Sequence, residues 1–516
     1  MALVNNAKCV GVIEAIQDHL PTLYFVFSRG RTELLAEELS REWDFLFPEE
    51  KNRVTELMEK AEQVSPGLFS GRRRHLRRLL MQGIGYHHAG LSPALKELVE
   101  TLYEARLVFA LFCTETFAVG INFPAASTVF DATRKWDGRN HRGLLNREFF
   151  QMAGRAGRRG FDRVGHVYVN IDEKFPEQTG FFDEDKVEPV HGRLVISPNT
   201  ALSLLHWKTE AEIERYLSQN LAVYQNTREI ASLTDELEVI EEKIYTLRKN
   251  FCEDKDRPAC PMLRGKLKKE LNRLRNRNRR HKPEARGRIA EIKSILAHPG
   301  KGCLHHDCRD AHDEITALVE RKKELVRRNR QLIKIAVDYH QEFRRMCALL
   351  EKLGFIEGKT LLPRGLFALH LHVQEILVTE LVFSGILREA APAEAASILA
   401  GIDYEPGRDE VVLAGTYDMD NVALLRNELL NAGVPEHLCR WSPLPGPLAE
   451  GWYNNATFEE LQKRCNLHEG DIFSTMRREI DVLRQIERAA GEDQSFRQII
   501  HEIKGKLDRD EIAVLI

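Results

Sequence analysis

The segment QMAGRAGRRG (151–160) contains the residues whose types and spacing most clearly suggest a chemical role. Arg155 and Arg158 are three positions apart, so a helix over this segment would carry both guanidinium groups on one face. Such a pair can neutralise the charge that develops on a γ-phosphoryl group during its transfer. Small residues would also let the backbone approach a ligand closely, at Ala153, Gly154, Ala156 and Gly157. The segment therefore predicts an arginine pair that acts on a nucleoside triphosphate.

A second segment, TETFAVGINFP (114–124), directly follows an apolar run at 107–114. If that run is a buried strand, the segment begins at the carboxyl end of a sheet, where open α/β sheets bind their ligands. The hydroxyl groups of Thr114 and Thr116 could contact a phosphate backbone. Gly120 and Asn122 could turn toward a nucleotide.

Two further segments place polar residues directly after apolar runs. In FVFSRGRTE (25–33) the run ends at Ser28 and Arg29, which are well placed to contact phosphates. In GIGYHHAGLSP (83–93) the adjacent His87 and His88 precede a glycine turn. Two neighbouring histidines without another nearby ligand are more typical of a structural role than of a metal site.

The apolar pattern of residues 1 to about 172 predicts the strands and helices that must position these residues. Four apolar runs have the pattern of buried strands: TLYFVF (22–27), LVFALFCT (107–114), STVFDAT (127–133) and GHVYVNI (165–171). Between them, segments such as PALKELVETLYE (93–104) have apolar residues three and four positions apart, as helices do. This alternation predicts a parallel sheet covered by helices on both faces.

The middle of the chain has a different texture, with long charged segments and sparse apolar positions. Residues 233–250 and 313–343 carry apolar residues at near-heptad spacing, which indicates an antiparallel coiled-coil stalk. The alternative is a set of ordinary solvated helices packed on the body of the protein. Between Arg248 and Lys301 there are eighteen Lys and Arg residues against six Asp and Glu residues, a candidate electrostatic surface for nucleic acid.

Four cysteines flank this basic region and could form a structural zinc site. Cys303 and Cys308 have four residues between them, which is a usual ligand spacing, whereas seven residues separate Cys252 from Cys260. An antiparallel stalk could bring the two pairs together. The alternative is that these cysteines are free thiols.

The bulk properties exclude several classes of protein. Nine cysteines in 516 residues do not form a disulfide scaffold, and an odd number cannot pair completely. The sequence shows no signal peptide and no run of apolar residues long enough to span a membrane. We therefore expect a cytoplasmic protein that has no membrane partner.

Taken in order, the polar segments resemble motifs IV, IVa, V and VI of superfamily 2 helicases, in particular the superkiller/antiviral branch of DExH-box helicases. Three later segments extend the resemblance to the region after the second RecA-like domain, to the winged helix and to the DSHCT core: 192–225, 349–387 and 457–489. The resemblance implies an α/β RecA-like parallel-sheet domain followed by a mainly α part, a winged helix with an inserted coiled-coil stalk and a C-terminal helical bundle. The implied boundaries are 1–172 for the RecA-like domain, 173–230 and 345–390 for the winged helix, 231–344 for the coiled-coil insertion and 391–516 for the DSHCT-like bundle.

The same resemblance assigns roles to individual residues. The implied catalytic residues are the arginine fingers Arg155 and Arg158, together with Gln151. The implied ATP contacts are Gly120, Asn122 and Gly154. The implied nucleic-acid contacts are Ser28, Arg29, His88, Thr114 and Thr116. The DSHCT pattern usually has an arginine at the place of Ser474, and the nearby Arg477 and Arg478 could compensate for its absence as nucleic-acid contacts. Residues 132–146 occupy the place where some relatives carry a strand-separating hairpin, although the segment is short here.

The ATP-gripping motifs of such a helicase do not occur in the sequence. The nearest match to a P-loop, from Gly354 to Gly358-Lys359-Thr360, has three residues after its first glycine where four are needed, and there is no Asp-Glu-x-His box. We expect a first RecA-like domain, in cis or in trans, to hold most of the Mg²⁺ coordination and to be needed for ATP hydrolysis. The predicted function is then the C-terminal half of an ATP-dependent helicase, with RNA favoured over DNA. The alternative is a non-catalytic RNA-binding or scaffold protein that retains a motor remnant.

Overall fold

A computed structural model of the chain describes residues 2–5, 8–70, 73–118, 123–138, 140–158, 160, 162–171, 187–249, 260–276, 283–297, 306–335 and 338–513. The chain divides into two compact units. The first comprises Met1–Val190, Ser197–Trp207 and Met346–Ile516, and the second comprises His191–Ile196 and Lys208–Arg345. Among the described residues, no helix is both long enough and apolar enough to cross a membrane.

A six-stranded sheet, in which every pair of neighbouring strands is parallel, organises the beginning of the first unit. Its strands are β1 (Ala2–Asn5), β2 (Thr22–Phe25), β3 (Ile84–His87), β4 (Ala110–Cys113), β5 (Ser127–Phe130) and β8 (His166–Ile171). Between β5 and β8 the chain forms a separate short antiparallel hairpin of β6 (Arg134–Trp136) and β7 (His141–Gly143). The order across the sheet is β1-β8-β5-β2-β4-β3. Every residue of β2, β3, β4 and β5 is buried, because helices cover both faces of a parallel sheet. The predicted parallel sheet is confirmed.

The helices around this sheet and directly after it are α1 (Cys9–Ala15), α2 (Arg29–Ser40), α3 (Pro48–Val64), α4 (Arg74–Leu80), α5 (Pro93–Glu104), α6 (Asn146–Ala153) and α7 (Pro198–Trp207). The amphipathic pattern at 93–104 corresponds to α5, which buries Leu95, Leu98, Val99 and Leu102. Ser92 caps its first turn by accepting a hydrogen bond from the backbone N–H of Leu95.

The second unit consists mainly of α8 (Glu210–Ser218), α9 (Leu221–Lys249), α10 (Pro261–Asn276), α11 (Pro283–Ala297) and α12 (His306–Ile335). Helices α9 and α12 pack along a shared apolar stripe: Leu233, Ile240, Ile244, Ile315 and Leu325. Among the described residues, four ion pairs join them: Glu229 with Arg328, Glu236 with Arg321, Glu241 with Lys322 and Lys243 with Glu314. Residue numbers rise along one helix as they fall along the other, so α9 and α12 are antiparallel.

The chain returns to the first unit within the first of the remaining elements, since the second unit ends at Arg345. They are α13 (Tyr339–Lys352), the two-stranded hairpin of β9 (Ile356–Glu357) and β10 (Thr360–Leu361), and then α14 (Pro363–Ala368), α15 (Glu375–Phe383), α16 (Ile386–Glu389), α17 (Pro392–Ala400), α18 (Asp420–Asn431), α19 (Gly446–Tyr453), α20 (Phe458–Lys463), α21 (Glu469–Ala489) and α22 (Gln494–Leu507). The P-loop-like residues Gly358-Lys359-Thr360 lie at the turn of the β9–β10 hairpin, where Gly358 has a φ of +59°.

Helix α7 packs against α14 and the residues that follow it, although the second unit separates them in sequence. The side-chain amide of Asn199 donates to the carbonyl oxygens of Leu369 and Leu371 at 2.7 and 2.8 Å. A side chain at Gly365 could not fit, because its Cβ would lie 2.2 Å from the carbonyl oxygen of Phe355. The segments on either side of the second unit therefore form one packed region.

Candidate functional site

Three neighbouring strands of the sheet bring most of the predicted nucleic-acid contacts to one edge. In the register of β2, β4 and β3, Phe25 lies beside Cys113 and Cys113 beside His87. Because the strands are parallel, the residues that follow these three positions emerge together at the carboxyl edge. They are Ser28 and Arg29 after β2, Thr114 and Thr116 after β4, and His88 after β3. We call this group the carboxyl-edge surface.

The two threonines of the carboxyl-edge surface are accessible. Their hydroxyl groups lie 2.9 Å apart and form a hydrogen bond, and the side chain of Thr116 is exposed. The backbone N–H of Thr114 donates to the carbonyl oxygen of His87 at 3.2 Å, which extends the sheet register past the end of β4. Both hydroxyl groups are therefore held at fixed positions at the sheet edge.

The two histidines have different environments from the threonines. His88 is 1% exposed, its Nε2 lies 3.1 Å from the Glu33 carboxylate, and its Nδ1 accepts the backbone N–H of Gly90. His87 is also buried, with Nε2 at 2.9 Å from Glu100, and burial lowers the pKa of its ring to about 3. The ring of His88 supports the loop that follows β3, and it does not face solvent.

The start of α21 docks on the carboxyl-edge surface. Both Asp471 carboxylate oxygens accept hydrogen bonds from Arg29 Nη1, at 2.9 and 2.7 Å. Arg73 donates to Glu469 in a pair whose side chains are 12% and 15% exposed. The backbone N–H of Gly470 donates to the carbonyl oxygen of Gly90, and a Cβ at Gly470 would lie 1.9 Å from the carbonyl oxygen of Ala89. Only glycine fits at this contact.

Lys96 on α5 is part of the same surface, although the sequence motifs did not identify it. Burial lowers the pKa of its ammonium group. The nearby guanidinium groups of Arg29 and Arg477 act in the same direction, whereas the carboxylates of Glu100 and Asp471 oppose the shift. Three cations and two carboxylates therefore interact at this place, and an anionic ligand would be attracted by the cations. The signal in the sequence was weak, since Lys96 occupies an ordinary polar position of an amphipathic helix.

The structure places Arg477 and Arg478 on carbonyl groups of the protein. Arg477 contacts the carbonyl oxygens of Ile512 and Ala513 at 3.4 and 3.5 Å. Arg478 donates to the carbonyl oxygen of Asp403 at 3.0 Å, and burial lowers the pKa of its guanidinium group. Both side chains remain partly exposed.

The predicted arginine pair does not lie on a helix, which corrects our expectation from the three-residue spacing. Helix α6 ends at Ala153, before both arginines, and Gly157 has a φ of +95° that L side chains rarely adopt. Ala156 instead forms a parallel bridge with Ala125, since the residues on either side of it hydrogen-bond to Ala125 at 2.9 and 2.7 Å. The pairing attaches this arginine loop (154–158) to the end of the TETFAVGINFP segment.

Each guanidinium group in the arginine loop has a partner. Arg155 donates to the carbonyl oxygen of Ala118, which again connects the two motif segments. Arg158 forms two hydrogen bonds to the Asp162 carboxylate, at 2.8 and 2.9 Å, and these bonds lower the pKa of Asp162 to about 2. The Arg158 side chain keeps 22% of its surface exposed. Gln151 and Gly154 are exposed on the same stretch.

Several predicted site residues lie outside the described part of the chain. Gly120 and Asn122, the predicted ATP contacts from the second segment, are among them. Of the four cysteines, Cys252 and Cys303 are also outside, and the side chain of Cys308 is not described. Cys260 is described as a buried free thiol. Within the described residues no group of three or more His, Cys, Asp or Glu residues could hold a metal ion, so the zinc site stays a prediction.

The β6–β7 hairpin lies within residues 132–146 and is anchored beside both motif segments. Lys135 pairs with Glu115 at 2.5 Å and with Glu148 at 2.9 Å, and Arg142 pairs with Glu148 at 2.7 Å. Although burial opposes it, hydrogen bonds from Arg142, the Leu145 backbone and Lys135 lower the pKa of Glu148 to about 2. Trp136 is 49% exposed and meets His141 edge-on. The hairpin therefore presents an aromatic ring on a fixed base.

Comparisons with known proteins identify two domains in the chain. Residues 49–160 match the Helicase conserved C-terminal domain, and residues 358–514 match the DSHCT (NUC185) domain. The second match begins at residue 358, before the boundary that we placed at 391.

Related proteins match the chain over part of its length. Exosome RNA helicase MTR4 of Mus musculus is 35% identical over 231 residues, which cover 43% of this chain and 22% of that protein. ATP-dependent RNA helicase mtr4 of Schizosaccharomyces pombe is 36% identical over 43% of this chain and 20% of that protein. Superkiller complex protein 2 of Homo sapiens is 43% identical over 31% of this chain and 13% of that protein.

The matched part of this chain thus spans about a fifth or less of the length of these relatives. The two domain matches and the three relatives agree with the resemblance drawn from the motif order, and they confirm it. The chain carries a Helicase_C domain and a DSHCT domain, and it is homologous to the MTR4-type and superkiller-type DExH RNA helicases.

Proposed function

We propose that this chain supplies the second RecA-like domain and the strand-guiding C-terminal region of an ATP-dependent RNA helicase, and that a first RecA-like domain completes the ATPase site. The attachment of the arginine loop to the TETFAVGINFP segment carries the proposal, because it holds Arg155 and Arg158 beside a segment expected to contact nucleotide. Motors of this kind act by closing two such domains around ATP, which changes their grip on the strand. A cytoplasmic location remains a prediction.

The ion pair of Arg158 with Asp162 defines what the proposal requires. The guanidinium group must exchange the carboxylate for a phosphate when ATP and the other domain arrive. The two side chains are 22% and 17% exposed, and a phosphate carries more negative charge than a carboxylate, so a phosphate held at close range can replace the carboxylate. Arg155 is bonded to a neutral carbonyl oxygen, which competes still less with a phosphate.

The decisive experiment measures ATP hydrolysis by the chain alone and after addition of a purified first RecA-like domain from a relative, with and without single-stranded RNA. We expect hydrolysis only in the combined sample, stimulated by RNA and abolished by Arg158→Ala. Arg163→Ala is the matched control, since Arg163 is an exposed arginine on the same stretch of chain. The proposal fails if the combined sample is inactive, or if Arg158→Ala hydrolyses ATP as fast as Arg163→Ala.

The same ion pair also favours the second candidate function, an RNA-binding or scaffold protein without motor activity. A permanent Arg158–Asp162 pair would leave the arginine loop as a purely structural connection. RNA binding at the carboxyl-edge surface with no hydrolysis in any combination would support this candidate.

We further propose that RNA passes along the carboxyl-edge surface, close to α21. The evidence for this path is the pair of held threonine hydroxyls and the three cations Arg29, Lys96 and Arg477. Each cation that contacts a phosphate releases counterions, so Lys96→Gln should lower the slope of log affinity against log salt by about 0.7 for single strands. An unchanged slope would place the RNA elsewhere.

The architecture supports two finer assignments. We propose that α7, α14 and the β9–β10 hairpin form a winged helix, because the amide of Asn199 joins segments that are 170 residues apart. We also propose that α9 and α12 form a coiled coil, since three of the ion pairs between them recur at seven-residue steps on both helices.

A further inference from the structure

Residues 411–413 form an extended segment with one paired edge and one open edge. The backbone N–H of Leu413 donates to the carbonyl oxygen of Arg464 at 2.8 Å, and that of Asn466 donates to the carbonyl oxygen of Val411 at 3.1 Å. Val412 and Cys465 face each other across this short antiparallel pairing. In such a ladder, the N–H and C=O groups of the middle residue point away from the partner strand. Within the described residues, the backbone groups of Val412 have no hydrogen-bond partner.

Apolar groups flank the open edge on both faces of the segment. Val411 and Leu413 project from one face and are 58% and 57% exposed. On the other face, Val412 lines a groove of about 430 Å³ whose walls include Pro406, Met419 and Pro447. Exposed apolar side chains beside an unpaired strand edge are a template for a second extended chain.

The electrostatic character of the surroundings restricts the chemistry of that chain. Between Asp403 and Asp420 there are six acidic residues and one basic residue, Arg408. Arg440 lies 3.5 Å from Asp403 and 3.4 Å from Glu405. Within the described residues, no ion pair involves the exposed acids Asp409, Asp418 and Asp420, and the groove itself contains Glu410 and the buried Glu450. A nucleic-acid backbone would be repelled here, whereas a cationic partner would be attracted.

We propose that this edge binds an extended, basic peptide segment of another protein, which adds a strand beside Val412. The backbone of the peptide would pair with the free N–H and C=O groups of Val412. Its alternate side chains would cover Val411 and Leu413 on one face and enter the groove on the other, while lysine or arginine residues would lie beside the acidic loop. The proposal does not rest on the proposed function.

The test uses the full chain, immobilised, and two pools of nine-residue synthetic peptides. In both pools apolar residues alternate with charged residues, which are Lys or Arg in the basic pool and Glu in the acidic pool. We expect the chain to retain the basic pool and not the acidic pool. Equal retention of both pools, or of neither, would overturn the proposal.

Two variants separate backbone pairing from charge. Val412→Pro removes an N–H group that the fold does not use, and proline is tolerated at such an edge position. We expect it to weaken binding of the basic pool about tenfold while the unfolding transition stays in place. The pair Asp409→Asn with Asp418→Asn should weaken binding about threefold and reduce its salt dependence. Asp235→Asn, an exposed acid of α9, is the matched control.

Undiminished binding by both variants would show that the peptides bind elsewhere and would overturn the proposal. Sedimentation of the chain without peptide tests whether a second copy of the chain, instead of a peptide, occupies the open edge. A self-association that Val412→Pro abolishes would show that a second copy of this chain covers the edge, which also contradicts the assignment to a basic partner.

Discussion

Two groups of arginines in this protein hold acidic partners in contrasting ways. Arg29 and Arg73 pair with Asp471 and Glu469, which are 442 and 396 residues away in sequence. Arg158 pairs with Asp162, which is four residues away in the same loop. The distant pairs fasten the start of α21 to the sheet edge, so they restrain two elements relative to each other. The local pair can open without displacing any element. The first arrangement suits a fixed guide for a strand, and the second suits a group that changes partner during a reaction cycle.

The largest change in the free energy of unfolding is expected at Gly470, which lies between the two distant ion pairs. Gly470→Ala would place a Cβ 1.9 Å from the carbonyl oxygen of Ala89, so α21 must shift away from the loop after β3. We expect a loss of about 3 kcal/mol in the free energy of unfolding, measured with urea. Gly505→Ala is the control, since Gly505 lies in α22 with open space around it and should gain up to about 1 kcal/mol. Similar results for both variants would contradict the tight docking.

The two distant ion pairs should differ from each other in strength. Arg73→Ala leaves Glu469 only 15% exposed without its cation, so we expect a loss of about 2 kcal/mol in unfolding free energy. Arg29→Ala should cost about 0.5 kcal/mol, because that pair is 38% and 30% exposed. Chemical denaturation of the two variants and of the double variant would measure both. A larger loss in Arg29→Ala would reverse the ranking derived from burial.

A third acid on α21, Glu479, sharpens the comparison because no arginine accompanies it. It is 1% exposed, both carboxylate oxygens lack a partner among the described residues, and burial raises the pKa of the carboxyl group well above its usual range. Glu479→Leu should therefore raise the free energy of unfolding by about 1 kcal/mol, since it removes a desolvated polar group. Glu479→Gln serves as the control and should change it little. A marked loss in Glu479→Leu would show that the carboxyl group has a partner in the folded protein.

A small effect on stability is expected at the local pair. Asp162→Asn should cost less than about 1 kcal/mol at neutral pH. The carboxyl group of Asp162 has a folded-state pKa lowered to about 2, below its ordinary value, so its stabilising contribution is complete above that ordinary value and is lost as the pH falls through about 2. The difference in unfolding free energy between the variant and the parent should shrink over this acidic window.

In the reconstituted ATPase, release of Arg158 by the Asp162→Asn substitution should lower KM for ATP about threefold. An increase in KM would mean that Asp162 positions the arginine for the nucleotide.

The elements that the sequence predicted best are those whose signal is local. The apolar runs at 22–27 and 127–133 became β2 and β5, because a strand buried on both faces must be apolar throughout. β3 was not predicted as a strand, since its sequence IGYH contains a glycine and a histidine that mask its burial. The helix expected through Arg155 and Arg158 failed for a tertiary reason, the bridge between Ala125 and Ala156.

Long-range partners were beyond the reach of sequence patterns. The motif order led to Arg29, but only the packed structure shows that Asp471 occupies its guanidinium group. Lys96 was overlooked for the same reason, because its importance depends on cations contributed by other elements. Residue type and spacing indicate which chemistry is available, whereas the partner of each group is determined by packing.

The paired helices α9 and α12 impose a rule on how this protein can change in length. Three of the ion pairs between them advance by seven residues on each helix, as from Glu229 and Arg328 to Glu236 and Arg321. An insertion or deletion in one helix alone would misalign every pair beyond it. Removal of seven residues from both helices would instead shorten the structure by about 10 Å and leave the remaining partners matched. Changes in the length of this helix pair are therefore expected in steps of seven residues, made in α9 and α12 together although the two helices are distant in sequence.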